Sequence, residues 1–158
     1  MTFIDILVKL RKIVRSVNLE SKRVEKEQGI SIPQLLCLRF LADQPDYKTN
    51  AAKLKSFLNL NASTISGILS RLEKKGFVAK LPKTNDKRVT LISLTSSGMN
   101  LIQTAPITFQ QKLSEKLQAL PPEKLKIITE GLDLLTQIME VNELDASPIV
   151  TVEEFPSE

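Results

Sequence analysis

The hydrophobic positions between residues 58 and 76 recur at the spacing of an amphipathic α-helix. Four aliphatic residues fall at i, i+3, i+4 and i+7 on one face, which must be buried: Ile65, Ile68, Leu69 and Leu72. The opposite face has short polar residues, and cations follow at the C-terminal end. Asn61 is placed to cap the first turn, and Gly76 is placed to end the helix in a left-handed conformation. We therefore predict a helix between Asn61 and Gly76 with one buried face and one open face.

A second, shorter helix is predicted immediately before this one. Thr49 or Asn50 can cap it. Its apolar positions have helical spacing: Ala51, Leu54, Phe57 and Leu58. Only the tight turn 58–61 separates the two helices, and such a pair forms a helix-turn-helix.

A two-stranded hairpin is predicted after Gly76. The strands would run from Phe77 to Leu81 and from Val89 to Leu94, joined by a basic turn from Pro82 to Arg88. Alternation divides the second strand between two faces: Val89, Leu91 and Ser93 on one, and Thr90, Ile92 and Leu94 on the other. A hairpin directly after a helix-turn-helix is a wing.

A long amphipathic helix is predicted from about Thr2 to Glu27, ended by Gly29. Its apolar stripe recurs in steps of three or four and suits packing against another helix: Phe3, Leu7, Leu10, Val14, Val17 and Val24. Its other faces are basic: Lys9, Arg11, Lys12, Arg15, Lys22, Arg23 and Lys26. We interpret these cations as solvated surface charges rather than phosphate contacts.

Two helical patterns follow the hairpin. The first runs from Ser96 to about Ala119 after the capping residue Thr95, and Pro106 predicts a kink or break near Ala105. The second begins after Pro121-Pro122. It has a narrow apolar seam for a partner helix: Leu125, Ile128, Leu132, Leu135 and Met139.

The helix that opens at Ser31-Ile-Pro-Gln34 contains the single cysteine, Cys37, within an apolar run that stops at Asp43-Gln-Pro45. We interpret Cys37 as an inert core thiol, with an oxidation sensor as the alternative. The chain has no histidine. This composition argues against disulfide frameworks, Cys/His zinc sites and His-dependent nucleophilic catalysis. We therefore predict no enzyme, no cofactor and no metal site.

The formal charge of +4 is segregated along the chain. Residues 143–158 hold five acidic residues and no Lys or Arg, so residues 1–142 have 22 basic against 13 acidic residues, a net charge of +9. That excess favours a polyanionic partner, although RNA or an anionic membrane would fit as well. The acidic tail lacks periodicity, and we expect it to be disordered. Without a secretory signal or a membrane-length apolar run, we expect a cytoplasmic protein.

The order of these elements resembles the MarR (multiple antibiotic resistance regulator) family of bacterial winged-helix transcription factors. Three sequence segments account for the resemblance: Ser70-Arg-Leu-Glu-Lys-Lys-Gly-Phe-Val78, Asn85-Asp-Lys-Arg88 and Ile92-Ser-Leu-Thr95-Ser-Ser-Gly98. The similarity covers about residues 3–141. The implied fold is mainly α: a winged helix-turn-helix with a two-stranded β wing, and N- and C-terminal helices that form a dimerisation bundle. The corresponding regions are 1–30 (first dimerisation helix), 31–95 (DNA-binding lobe), 96–142 (C-terminal dimerisation helices) and 143–158 (tail).

The resemblance implies a homodimer that binds double-stranded DNA, associates with the nucleoid when bound, and regulates transcription. Arg88 would be the wing arginine that reaches toward the minor groove, braced by Asp86. The expected DNA-binding residues are Asn61, Ala62, Ser63, Thr64, Ser66, Gly67, Ser70, Arg71, Lys74, Lys75, Lys83, Thr84, Asn85, Asp86, Lys87 and Arg88. The expected dimerisation residues are Phe3, Leu7, Leu10, Val14, Leu125, Ile128, Leu132, Leu135 and Met139. Family members commonly bind a small acidic or aromatic effector, which we expect without naming residues for it.

Two departures from the family pattern affect DNA contacts. The wing has Lys83-Thr84 where Asp-Pro is usual, so it loses polar bracing and gains a cation. Gly67 stands where a larger, often basic, residue is frequent. Base contacts would then depend on Ser63, Thr64 and Ser66, which discriminate less than a bidentate Arg.

A different class of function also fits the sequence. A winged-helix module can bind protein with little DNA affinity, with the acidic tail covering the basic face or recruiting a partner. Both alternatives remain open at this level.

Overall fold

The computed structural model describes residues 2–81, 90–105 and 107–144. The predicted wing turn with the start of its second strand (82–89), Pro106 and all but the first two residues of the predicted tail lie outside the described residues. The α-helices within the described part are α1 (Phe3–Gln28), α2 (Ile32–Ala42), α3 (Ala51–Leu58), α4 (Ala62–Lys74), α5 (Ser96–Thr104), α6 (Phe109–Gln118) and α7 (Pro122–Ile138), and one turn of 3₁₀ helix covers Pro45–Tyr47. The strands are β1 (Lys48–Asn50), β2 (Val78–Lys80) and β3 (Leu91–Leu94).

Several helix ends form where the sequence predicts them. Ser31 and Gln34 make a capping box at the start of α2, with Pro33 in the first turn. Gly29 ends α1 in the left-handed region, with φ of 70°. Thr95 caps α5 by accepting a hydrogen bond from the Gly98 amide. These local signals set the boundaries because each satisfies backbone groups that a helix end leaves unpaired.

The sheet has three strands in the order β1-β3-β2, so the prediction of a two-stranded wing is wrong in strand number. Thr49 pairs with Ile92 across the antiparallel β1·β3 ladder, and Ala79 pairs with Ser93 on the other side. β1 is only three residues long, too short to show an alternating pattern. Thr49 is buried in this strand, and Asn50 alone caps α3. The predicted alternation in β3 is confirmed, since Ile92 and Leu94 are buried.

Helix α2 lies at the centre of the hydrophobic core. Eight of its eleven residues are buried, so the helix has no solvent-exposed face. Its sequence therefore shows no regular alternation of apolar and polar positions. It packs against α3, α4, α5 and β3, and the buried face of α4 supplies the four aliphatic residues that the sequence predicts. Cys37 is 1% exposed, and burial raises the pKa of its thiol to about 12. This environment agrees with an inert core thiol.

The helix predicted from Ser96 to about Ala119 is divided in two, since α5 ends at Thr104 and α6 begins at Phe109. Ala105 ends α5 in an extended conformation, and Thr108 caps α6 with a capping box formed with Gln111. Two side chains, one from α1 and one from α2, form hydrogen bonds with this junction. Glu20 of α1 accepts a hydrogen bond from the Phe109 amide at 2.9 Å, and Arg39 of α2 donates to the Ala105 carbonyl at 3.3 Å.

Helices α1 and α7 expose large apolar side chains in the single protomer. On α1 they are Phe3, Ile4, Ile6, Leu7, Val8, Ile13, Val14 and Leu19. On α7 and just after it they are Ile127, Ile128, Leu132, Leu134, Ile138 and Met139. Exposed apolar patches of this extent mark interaction surfaces. None of the helices in the described ranges is long and apolar enough to cross a membrane.

Candidate nucleic-acid interface

The first turn of α4 is held by Asn61. Its side-chain oxygen accepts hydrogen bonds from the Thr64 amide at 2.8 Å and from the Ser63 hydroxyl at 2.9 Å. At the other end Lys75 is the C-cap and Gly76 follows with φ of 80°. The predicted cap and the predicted left-handed glycine are both confirmed.

Asn61→Ala is expected to lower the free energy of unfolding by roughly 1 kcal/mol, because the Thr64 amide loses its acceptor. Urea denaturation monitored by circular dichroism measures the change. Asn59→Ala is not a suitable control because Asn59 has φ of 54°, which alanine tolerates poorly. The exposed Gln137→Ala is suitable and should change stability by less than about 0.5 kcal/mol. Equal stability losses in the two variants would contradict the capping role.

The outward face of α4 is small and polar. Ala62, Ser63, Ser66 and Ser70 are exposed, whereas Thr64 and Gly67 are half-buried. A Cβ placed on Gly67 would meet nothing within 4 Å, so nothing in the protomer requires glycine there. Glycine inside a helix costs about 1 kcal/mol relative to alanine. The face is therefore open enough for another surface to approach the helix backbone closely.

Cations surround the C-terminal end of α4. Arg71, Lys74 and Lys75 are exposed. The Lys75 ammonium donates a hydrogen bond to the Gly29 carbonyl at 2.6 Å, a contact with the end of α1 that the sequence does not predict. Lys80 on β2 lies 4.0 Å from Glu73 and adds a cation beside α4 that was absent from the predicted site. The sequence could have indicated Lys80 as a further candidate contact, because Lys80 lies near the end of the predicted first strand of the hairpin, just before the basic turn.

The predicted wing contacts Lys83, Thr84, Asn85, Asp86, Lys87 and Arg88 lie outside the described residues. Their roles therefore stay predictions. The strands that would carry this turn are described, and Leu81 donates a backbone hydrogen bond to Leu91 at 2.9 Å beyond the end of β2.

The predicted dimerisation residues separate into two groups by exposure. Phe3, Leu7, Val14, Ile128, Leu132 and Met139 are exposed, and Phe3 is the most exposed of them at 73%. Leu10, Leu125 and Leu135 are half-buried within the protomer. Both groups lie on the two terminal helices, distant in sequence from α4. Whether they meet a second copy stays a prediction.

A cleft of about 330 Å³ lies between α2, α3 and α6. Its wall includes the rings of Phe40 and Phe57, whose centroids are 4.5 Å apart, together with Arg39 and Glu115. Burial lowers the pKa of the Arg39 guanidinium, and the nearby Asp43 carboxylate opposes that effect. The sequence alone could not predict this cleft, because its residues come from three separate helices.

The model of the MarR family matches residues 30–90, which include α2, the helix-turn-helix and β2. In this region the chain is similar to MarR-family regulators. Among its relatives is YfiV of Bacillus subtilis (strain 168), named as an uncharacterized HTH-type transcriptional regulator. It is 28% identical over 136 residues, which are 86% of this chain and 84% of the relative. YetL of the same organism, named as an HTH-type transcriptional repressor, is 28% identical over 60% of this chain and 57% of its own length.

Solved structures of MarR-family regulators have the same fold. Sco3205 from Streptomyces coelicolor, a MarR-family regulator in complex with DNA, superimposes with a TM-score of 0.63 at 22% identity, covering 95% of this chain and 96% of that one. The S. aureus MepR–DNA complex gives 0.61 at 19% identity, covering 88% and 99%. The matched family and the named relatives are transcriptional regulators and not enzymes, in agreement with the sequence prediction. In its described residues, no group of three or more His, Cys, Asp or Glu residues is arranged to hold a metal ion.

Proposed function

We propose that this MarR-family regulator binds double-stranded DNA sequence-specifically, with α4 in the major groove. The observation that carries the proposal is the outward face of α4, which combines short polar side chains with exposed Arg71 and Lys74 at one end. Short side chains let a helix lie deep in a groove, and cations beside it bind phosphates. The DNA complexes of Sco3205 and MepR, which share the fold, support the proposal.

The contacts divide by chemistry. Ala62, Thr64, Ser66 and Gly67 would face base edges with methyl, hydroxyl and backbone groups, and Ser70 would contact phosphate. Ser63 already donates to Asn61, so its hydroxyl would offer DNA its acceptor lone pairs. From the family resemblance, Arg88 of the wing would enter the minor groove with Asp86 bracing it.

We propose that the binding unit is a homodimer. The apolar side chains that α1 and α7 expose would be buried between two copies. Burial would remove the unfavourable free energy of exposing apolar surface to water. A two-fold dimer implies a pseudo-palindromic operator with half-sites about 34 to 36 Å apart. Repression is the favoured outcome, because YetL is named as a repressor and a bound dimer blocks access to its operator.

A small effector would modulate binding. The cleft between α2, α3 and α6 supports this part of the proposal, because it joins the aromatic pair Phe40 and Phe57 with the partly buried Arg39. The two rings suit a small aromatic ligand, since the Arg39 cation shares the wall with the Asp43 and Glu115 carboxylates. A protein that acts on chromosomal DNA works in the bacterial cytoplasm and is nucleoid-associated when bound.

Fluorescence anisotropy with a random-sequence duplex tests the DNA-binding proposal. At low salt we expect dissociation constants of about 1 to 100 µM, with affinity that falls steeply as salt rises because each neutralised phosphate releases a counterion. Binding-site selection on random DNA should then recover an inverted repeat bound more tightly. If the duplex is not bound even in dilute buffer, the protein-binding alternative for the winged-helix module is favoured instead.

A further inference from the structure

The residue that ends α4 contacts the residue that ends α1. Lys75 is the C-cap of α4, and its ammonium donates to the carbonyl oxygen of Gly29, the C-cap of α1, at 2.6 Å. The two residues are 46 positions apart in sequence. The ammonium therefore lies at the C-terminal end of α1, where the helix dipole favours a positive charge, while the Lys75 backbone ends α4.

The next two residues bind the start of α5. The Thr95 hydroxyl donates to the Gly76 carbonyl at 2.6 Å, and the Thr95 amide donates to the Phe77 carbonyl at 3.1 Å. Gly98 packs so closely against the Phe77 carbonyl that a Cβ there would overlap it. The segment 75–77 thus joins the end of α4 to α5 through the Gly76 and Phe77 carbonyls, which accept from Thr95, and to α1 through the side chain of Lys75.

We propose that Lys75 is a positioning residue for DNA binding, which holds α4 at a fixed angle to α1, and is not a phosphate contact. The inference rests on the proposed function, because this angle matters when two copies of α4 must reach two half-sites together. α1 is the helix that would pack against the second copy. The α1–α4 angle therefore sets the separation and direction of the two α4 helices in the dimer.

The matched pair Lys75→Met and Lys74→Met separates positioning from phosphate contact. Both variants remove an ammonium and keep an apolar stem, from adjacent exposed residues at the same helix end. Each is titrated at several salt concentrations with the selected operator and with versions that have one base pair added or removed between half-sites. Thermal unfolding checks that both variants are folded.

Lys75→Met should reduce the preference for the correctly spaced operator at least threefold and leave the salt slope of log K unchanged. Lys74→Met should leave the spacing preference unchanged and lower the salt slope by about 2 per dimer, since each lost phosphate contact contributes about 0.9. Lys75→Arg retains a donor for Gly29 and should keep the spacing preference within twofold. A Lys75→Met variant that behaves like Lys74→Met would overturn the proposal.

A measurement without DNA provides a second test. Ser70→Cys places a spin label on the exposed face of α4, and Cys37 stays unlabelled because it is buried with a thiol pKa of about 12. The label-to-label distance distribution in the dimer should be narrow, and Lys75→Met should broaden it. An unchanged width overturns the positioning role. A monomeric protein, or one that ignores duplex DNA, overturns the proposed function instead, so the two failures are distinguishable.

Discussion

Leu132→Asp should convert the proposed dimer to a single chain of 17.7 kDa and reduce operator affinity at least about 100-fold. Leu132 lies on α7 with about half of its side chain exposed in the protomer. In a dimer this side chain would be buried, and an unpaired carboxylate there costs several kcal/mol. The affinity falls because one lobe alone loses the effective concentration that the second lobe provides. Light scattering after size-exclusion chromatography measures the mass, and anisotropy measures the affinity.

Gln137→Asp is the matched control, since it introduces the same charge on the opposite, exposed face of α7. It should leave both mass and affinity unchanged. Val14→Asp on α1 extends the test to the other helix, because the exposed Val14 belongs to the predicted N-terminal stripe. Circular dichroism must accompany these measurements, as some homodimers have no stable folded monomer. If Leu132→Asp and Val14→Asp both remain dimeric with unaltered affinity, the terminal helices do not form the interface.

The sequence predicted helices best where local signals and hydrophobic period agree. α4 is the clearest case, because Asn61, the buried aliphatic face and Gly76 each indicate the same boundaries. β1 was missed because three residues cannot show a period, and its pairing with β3 depends on chain that is more than forty residues away. The motif Ser96-Ser-Gly98 was noticed only through the family resemblance. Its physical reason is the close approach of Gly98 to the Phe77 carbonyl, which only coordinates reveal.

For the candidate site, residue identity was easier to predict than side-chain direction. From the sequence we predict both Lys74 and Lys75 as DNA contacts, because the sequence does not show in which direction either of two adjacent lysines at a helix end points. In the structure the Lys75 ammonium contacts the carbonyl oxygen of Gly29 at the end of α1, a contact that the sequence does not indicate. The cleft between α2, α3 and α6 was also beyond sequence reasoning, because Phe40, Phe57 and Glu115 come together only when these helices pack.

Ser63→Glu should abolish most operator binding without destabilising the protein. Ser63 is exposed in the first turn of α4, on the face that would enter the major groove. A carboxylate there would meet DNA phosphates and base acceptors, and like-charge contacts cost several kcal/mol, which corresponds to an affinity loss of about 100-fold or more. The same carboxylate at a helix N-terminus is favoured by the helix dipole by about 0.3 to 1 kcal/mol. The free energy of unfolding should therefore stay equal or rise while DNA binding falls.

The opposite signs of these two effects make the result hard to attribute to misfolding. The glutamine of Ser63→Gln has nearly the same shape as the glutamate of Ser63→Glu but no charge. Both variants remove the hydroxyl that donates to Asn61, so the difference in operator affinity between them measures the effect of the charge. Gln137→Glu adds an equal charge to α7 and should leave binding unaltered. Urea denaturation gives the stability, and anisotropy with the selected operator gives the affinity. Equal affinities for Ser63→Glu and Ser63→Gln would mean that the first turn of α4 lies away from the DNA, and the groove-docking proposal would have to be abandoned.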